Sequence, residues 1–268
     1  MLSPIQPEHT MTKTRLSRQS IPILLLAALL GSSISPAVAW ELSPGERVTG
    51  SGQVTKTQRT LSGFKGIALE LPASVEIVQG ETEGVEIETD DNIAPLVETV
   101  IENGQLKIRA AQRFTSIKPK TLRITVRARI IESLSVSGSG DIRANKLQSP
   151  TLSSRIAGSG DIRIDALDVG TLTVSISGHG DFQAGGRADS VRTSISGSGD
   201  VKTATLAAKN VKLSIAGSGS AQIWASQTLT ISIAGSGDVS YYGEAAVTQS
   251  IAGSGRIKKL GSAPGNAG

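Results

Sequence analysis

The chain has no cysteine among its 268 residues, only 3% aromatic residues and just two histidines. Without cysteine there is no disulfide framework, thiolate metal site or cysteine nucleophile, so stability has to come from packing and backbone hydrogen bonds. Long apolar runs are also missing. The one apolar stretch, Ile21 to Leu30, is too short to span a bilayer. It follows Lys13, Arg15 and Arg18 and precedes Ala37-Val38-Ala39, the pattern of an export signal cleaved after Ala39. Residues 1–39 are therefore expected to be removed, with 40–46 a short linker, and translation starts at Met1 or at Met11.

Removing that signal takes three of the 27 basic residues and one of the 23 acidic ones, which leaves 24 against 22. So small an excess argues against nucleic acid and against a polybasic membrane contact. The mature chain is expected to be soluble, periplasmic or secreted, without stable membrane insertion. It keeps one histidine, His179, and a lone histidine in a turn is a poor basis for a catalytic triad or a metal site.

Glycine is abundant, and it is periodic. Gly-Ser-Gly-Asp or a near copy opens at Gly138, Gly158, Gly178, Gly197, Gly217, Gly235 and Gly253, in steps of 18 to 20 residues. Regular periods of this length mark stacked repeats. Aligned on the first glycine, apolar residues alternate with polar ones. Leu172, Val174 and Ile176 precede one turn, while Ile142, Ile162, Phe182, Val201, Ala221, Val239 and Ile257 form a single column after it. A period of two means strands rather than helices. Each unit reads as a strand, a tight turn, a second strand and a looser return through residues such as Leu147, Leu167 and Leu206.

These features predict an all-β, right-handed parallel β-solenoid with about 18 to 20 residues per coil over residues 134–260. Residues 47–133 lack the repeat but are rich in strand signals, at 67–71, 75–78, 85–89, 106–110 and 122–127. They supply a β-rich cap or irregular early coils. Ile93, Leu96, Val97, Val100 and Ile101 fall at helical spacing, with Asn92 placed to cap and Gly104 just past the end, which predicts one short helix. Residues 261–268 read as a flexible tail.

Phe64-x-x-Ile67, Val75-x-Ile77-x-Gln79-Gly80, Asp90-Asp91-Asn92 and Gly104-x-Leu106-x-Ile108 precede the Ser137-Gly138-Ser139-Gly140-Asp141 series. In this order and spacing the chain, from about Arg47 to Lys258, resembles the putative auto-transporter adhesin, head GIN domain family. The resemblance implies a β-helix-like fold in an exported Gram-negative protein, with no established activity or ligand. Nothing after Gly253 resembles a membrane anchor.

Four groups of residues are candidates for function. Asp141, Asp161, Asp181 and Asp200 share a column with Asp238, interrupted by Ser220 and Arg256. They read either as turn residues neutralised by Arg143, Arg163, Lys202 and Lys258, or as a calcium ladder. No other cofactor is expected. Ser194, Ser214 and Ser232, with Ser135, Ser175 and Ser250, make a hydroxyl-rich face, inert or able to hydrogen-bond a glycan or a protein edge. Trp224 and Tyr242 should lie side by side on adjacent coils, as a sugar or protein platform or as a lid on the core, with Leu260 in the same column. His179 replaces serine in the third turn and should face solvent.

The resulting expectation is a non-enzymatic binding or scaffold protein that recognises a glycan or an envelope or extracellular protein. The alternatives are a carbohydrate-active enzyme using outer-face carboxylates such as Asp161 and Asp181, and a structural homo-oligomer.

Overall fold

The computed structural model describes residues 47–111 and 116–264. The expected signal, the linker and residues 265–268 of the expected tail lie outside them.

Five strands, Asp141–Gly158, Ile162–Gly178, Phe182–Gly197, Asp200–Gly217 and Ser220–Gly235, each run from one Gly-Ser-Gly corner to the next. Each pairs in parallel with the one before it, so the molecule is a parallel β-solenoid. The column Ile142, Ile162, Phe182, Val201, Ala221, Val239 and Ile257 stacks in register. Its members from Ile142 to Val239 are at most 1% exposed. One coil cannot bury that face alone, but stacked coils make one continuous core.

The return through Leu147, Leu167 and Leu206 is tighter than the sequence implies. Its residues stay in the ladder, with Leu147 opposite Leu167 and Ser149 opposite Val169. The three leucines are 1% exposed. A glycine-associated bulge shifts the register near Gly186, and the register shifts again on the next coil between Thr203 and Ala207 and between Ala208 and Asn210.

The corners stack as tightly as the strands. Ser159 N–H donates to Gly138 O at 2.8 Å, His179 N–H to Gly158 O at 2.8 Å and Ser198 N–H to Gly178 O at 2.9 Å. Two glycines per corner are needed for different reasons. Gly178 has φ +128°, and at Gly180 a Cβ would lie 2.1 Å from the carbonyl oxygen of Gly160 in the coil before.

Residues 47–133 provide both coils and a cap. Gly66–Leu69 pairs in parallel with Ser133–Gly138, and Ser74–Gln79 with Asp141–Gly158, so 66–79 is a coil without the glycine signature. A further coil, Gln105–Ala110 with Leu122–Ala128, stacks outside it. Chain order and spatial order therefore differ at this end. Antiparallel strands finish the stack: Val97–Glu102 on Gln105–Ala110, Gly84–Asp90 on Leu122–Ala128, and Val54–Arg59 on Gly84–Asp90.

The helix expected over 93–101 is not formed. A single 3₁₀ turn, Ala94–Leu96, carries Pro95 in its first turn and gives way to the strand Val97–Glu102. Asn92 does not cap it; its side-chain amide donates to Thr49 O at 2.9 Å. Gly104 belongs to a two-residue hairpin turn with Asn103, at φ +73° and +53°, and Asn-Gly is the preferred pair for such turns. Pairing of β-branched Val97, Thr99, Val100 and Ile101 outweighs the helical spacing.

Asp90 clamps the cap. It is fully buried, and its carboxylate accepts N–H bonds from Gly52 at 2.7 Å, Lys120 at 2.8 Å and Thr121 at 3.4 Å. Burial alone pushes its pKa up, but the backbone donors together outweigh it and hold the pKa below the ordinary aspartate value. A depressed pKa contributes stability above the unfolded-state value, and this is lost as pH falls through the folded value. Melting temperature is thus expected to be flat near neutrality and to drop below about pH 4. Asp90→Asn should melt lower at pH 7 and show a shallower acid limb. Parallel limbs in melts from pH 3 to 7 would contradict the assignment.

At the other end, Ala246–Gly253 and Arg256–Gly261 form the last rung. Val247 and Ile251 continue the columns of Leu229 and Ile233 but are 38% and 40% exposed. Gln249 and Lys259 stand opposite Ile231 and Tyr241, so polar groups enter core columns on this rung. Charges placed this way discourage edge-to-edge pairing.

Candidate functional site

The aspartate column is occupied with the fold itself. Asp141 Oδ1 accepts the backbone N–H of Asp161, Asp161 that of Asp181, Asp181 that of Asp200 and Asp200 that of Ser220, at 2.9 to 3.3 Å. Each carboxylate thus caps the first amide of the next coil. Lys202 spans Asp181 and Asp200 at 2.7 and 3.7 Å, and Arg256 holds Asp238 at 3.0 Å. Arg163 instead pairs with Asp165 at 2.8 Å, along its own strand. Among the described residues, no ion pair to the column comes from Arg143 or Lys258. Nor does any group of three or more His, Cys, Asp or Glu side chains among them stand ready to hold a metal ion.

Asp161→Ala is expected to cost about 1 kcal/mol, the typical worth of one hydrogen bond, whether or not calcium is present. A calcium titration by calorimetry should give no heat. A calcium-dependent rise in melting temperature that Asp161→Ala abolishes would contradict this.

The hydroxyl face is in register. Ser175, Ser194, Ser214, Ser232 and Ser250 stand opposite one another, Ser194, Ser214 and Ser232 all exposed. Arg155 replaces serine between Ser135 and Ser175. His179 is exposed on its corner.

The aromatic pair lies elsewhere. Trp224 stands opposite Tyr242, and both are half-buried, with fully buried Ile223 and partly buried Tyr241 as inward neighbours. Leu260 does not share their column. A register shift sets Gly261 opposite Tyr242, and Leu260 is left 40% exposed.

A feature the sequence did not reveal is a groove on the return side. Its wide section, about 790 Å³, is bounded by Gln79, Arg129, Ile130, Lys146, Gln148 and Asp168. A second section of about 540 Å³ shares Asp168, Val169 and Gly170 with the first and continues past Arg187 and Ala207 to Ser226. Gln79 is fixed in its wall: its amide donates to Arg129 O at 2.9 Å and Gln148 O at 2.8 Å and accepts Gln148 N–H at 2.7 Å. Arg187 clamps Asp168 with two bonds, at 2.8 and 2.5 Å. Those bonds foremost hold the Asp168 carboxyl below its ordinary range, against a smaller opposing effect of burial.

A family model described as putative auto-transporter adhesin, head GIN domain, matches residues 63–245, a span running from the inner N-terminal coil to the aromatic pair. The chain belongs to this family. The matched span takes in the irregular inner coils and the glycine-cornered ones as far as the aromatic pair.

Solved structures of the same fold include a putative adhesin from Bacteroides fragilis, 22% identical with a TM-score of 0.75, covering 80% of this chain and 100% of that one. A putative adhesin from Parabacteroides merdae is 23% identical with a TM-score of 0.65, covering 81% and 100%. A protein called a putative lipid binding protein, from Parabacteroides distasonis, is 24% identical with a TM-score of 0.67, covering 80% and 100%. At these identities the likeness concerns the fold. No curated protein matches the chain. Among the described residues, no helix is long and apolar enough to cross a membrane.

Proposed function

We propose that this head GIN domain protein is exported and acts as a non-enzymatic, adhesin-like binding protein that recognises a glycan or an envelope protein. The observation that carries this reading is the registered stacking of outward side chains. Ser194, Ser214 and Ser232 repeat up one face, and a groove with a linear column of polar and aromatic residues runs up another. A surface that repeats at strand spacing, about 4.8 Å, suits a partner that is itself extended. Membership of a family described by adhesion supports the same reading, as does the engagement of the outer carboxylates in capping backbone amides. A glycan array and a pull-down from Gram-negative envelope extract test it. Binding in at least one is expected at micromolar protein, and silence in both overturns it.

Self-association is a second reading, favoured by the exposed Val247 and Ile251 on the last rung. Gln249 and Lys259 in that rung's core positions weigh against it. Light scattering on the mature protein should report a monomer at high concentration if the binding reading is right, and a discrete oligomer if the end is an interface.

A further inference from the structure

We infer that the return-side groove is the binding site, and that it takes a linear acidic glycan laid along the solenoid axis. This rests on the binding role proposed above and names the surface and the class of ligand.

Register makes the groove one site. Gln148, Asp168, Arg187, Ala207, Trp224 and Tyr242 stand opposite one another on six successive rungs. Five rung spacings make a strip of roughly 24 Å. The aromatic pair, which reads in the sequence as a platform or a lid on the core, is therefore the far end of the column that begins in the groove's wide section. Trp224 directly follows Ala207, which lines the second section.

The chemistry along this strip selects a polymer. Its strands run across the strip, and their N–H and C=O groups are spent on neighbouring rungs. A peptide lying along the axis finds no free edge, and strand addition, the usual mode for extended peptides, is closed to it. The ligand must be read by side chains, one rung at a time. The Arg187 and Asp168 pair offers donors and acceptors to hydroxyl groups, and the half-buried rings of Trp224 and Tyr242 offer apolar faces with polar tips. A pyranose chain carries both kinds of surface on every unit.

Charge selects the acidic class. Arg187 is neutralised by Asp168 and Lys209 by Asp189, at 2.5 and 2.7 Å. In the wide section, no salt bridge to Arg129 or Lys146 is made among the described residues. Arg129 Nε is turned to the backbone carbonyl of Glu81 at 3.0 Å, which leaves its terminal nitrogens for a ligand. Glu81 also lines this section and makes no salt bridge among the described residues, so with Asp168 held by Arg187 the section keeps one positive charge in excess, which suits a carboxylate.

The test is calorimetric titration of the full-length mature protein with short oligogalacturonates, with neutral xylo-oligosaccharides as the contrast. The acidic oligomers are expected to bind, more weakly at high salt, and the neutral ones to bind at least tenfold less well. Arg129→Gln with Lys146→Gln should lower acidic affinity by about tenfold or more, the scale of one lost charge-assisted bond. Ala207→Glu, which deletes no partner and puts a carboxylate in the channel, should do the same. Unchanged melting temperatures show that both variants fold.

If oligogalacturonate binds equally to wild type and to both folded variants, or if neutral chains bind as well, the groove assignment is wrong while the binding role stands. If oligogalacturonate does not bind but the array or the pull-down yields another partner, the same conclusion holds. Silence in all three assays removes both readings.

Discussion

Gly180→Ala is expected to destabilise the protein by more than about 4 kcal/mol, at the far end of the range for single substitutions. The added Cβ would sit 2.1 Å from Gly160 O and 2.7 Å from Ile156 Cγ2. The first neighbour is backbone held in the stack and the second is core, so neither can withdraw cheaply. Relief requires the corner to open, which breaks the bond from His179 N–H to Gly158 O beside it. Coils contact only their nearest neighbours, so a break at one corner uncouples the stack on either side. Thermal and urea unfolding should show a large loss of stability with reduced cooperativity. Gly80→Ala is the control: a Cβ there meets nothing within 4 Å, and its transition should stay close to wild type. Equal behaviour of the two variants would mean that the corners are looser than described.

Phe182→Ala is expected to cost about 3–5 kcal/mol, as for other buried aromatics truncated to alanine. Phe182 is completely buried, between Ile162 below and Val201 above in one column. The next rung carries only Ala221, so a large residue and a small one compensate within the column. Truncating the large member leaves a cavity, because the parallel ladders on both sides keep the rungs at strand spacing. Urea midpoints should fall with the slope unchanged. A loss below about 1 kcal/mol would indicate that the core collapses around the gap.

The glycine-cornered coils were legible because each Gly-Ser-Gly marks the register. Once the corners are aligned, strand alternation assigns the inward columns next to them, and the observed pairs of Ile142 with Ile162 and Trp224 with Tyr242 follow. The N-terminal strands were legible singly but not in order. No local signal says that Gln105–Ala110 and Leu122–Ala128 stack outside Gly66–Leu69 and Ser74–Gln79, since that choice belongs to long-range pairing. The helical spacing over 93–101 misled because an amphipathic hairpin strand beside a proline turn can imitate it over so few residues. Side-chain partners were read less well than backbone ones. Arg163 turns to Asp165 rather than to the aspartate column, a rotamer choice that spacing does not encode.

The groove was hidden for a related reason. Gln79 was visible only as part of the motif that carried the family resemblance, and its role as a bridge to Gln148 depends on two strands 69 residues apart. The outward column from Gln148 to Tyr242 drifts from ten to seven residues past the first glycine as the coils shorten. An alignment on the corners alone therefore places its two ends in different columns.

If the repeated glycine phrases are rigid corners of one stack, they are structural and leave the faces between them for recognition. Native-state hydrogen exchange on the free protein tests this most directly. The amides of Ser159, His179, Ser198 and Ser218, each bonded to the corner below, are predicted to be as protected as the strand amides of Ile162 and Val174. Corner amides that exchange as fast as those of a solvated loop, with the strands still protected, would contradict the account and return the seven phrases to the status of binding loops.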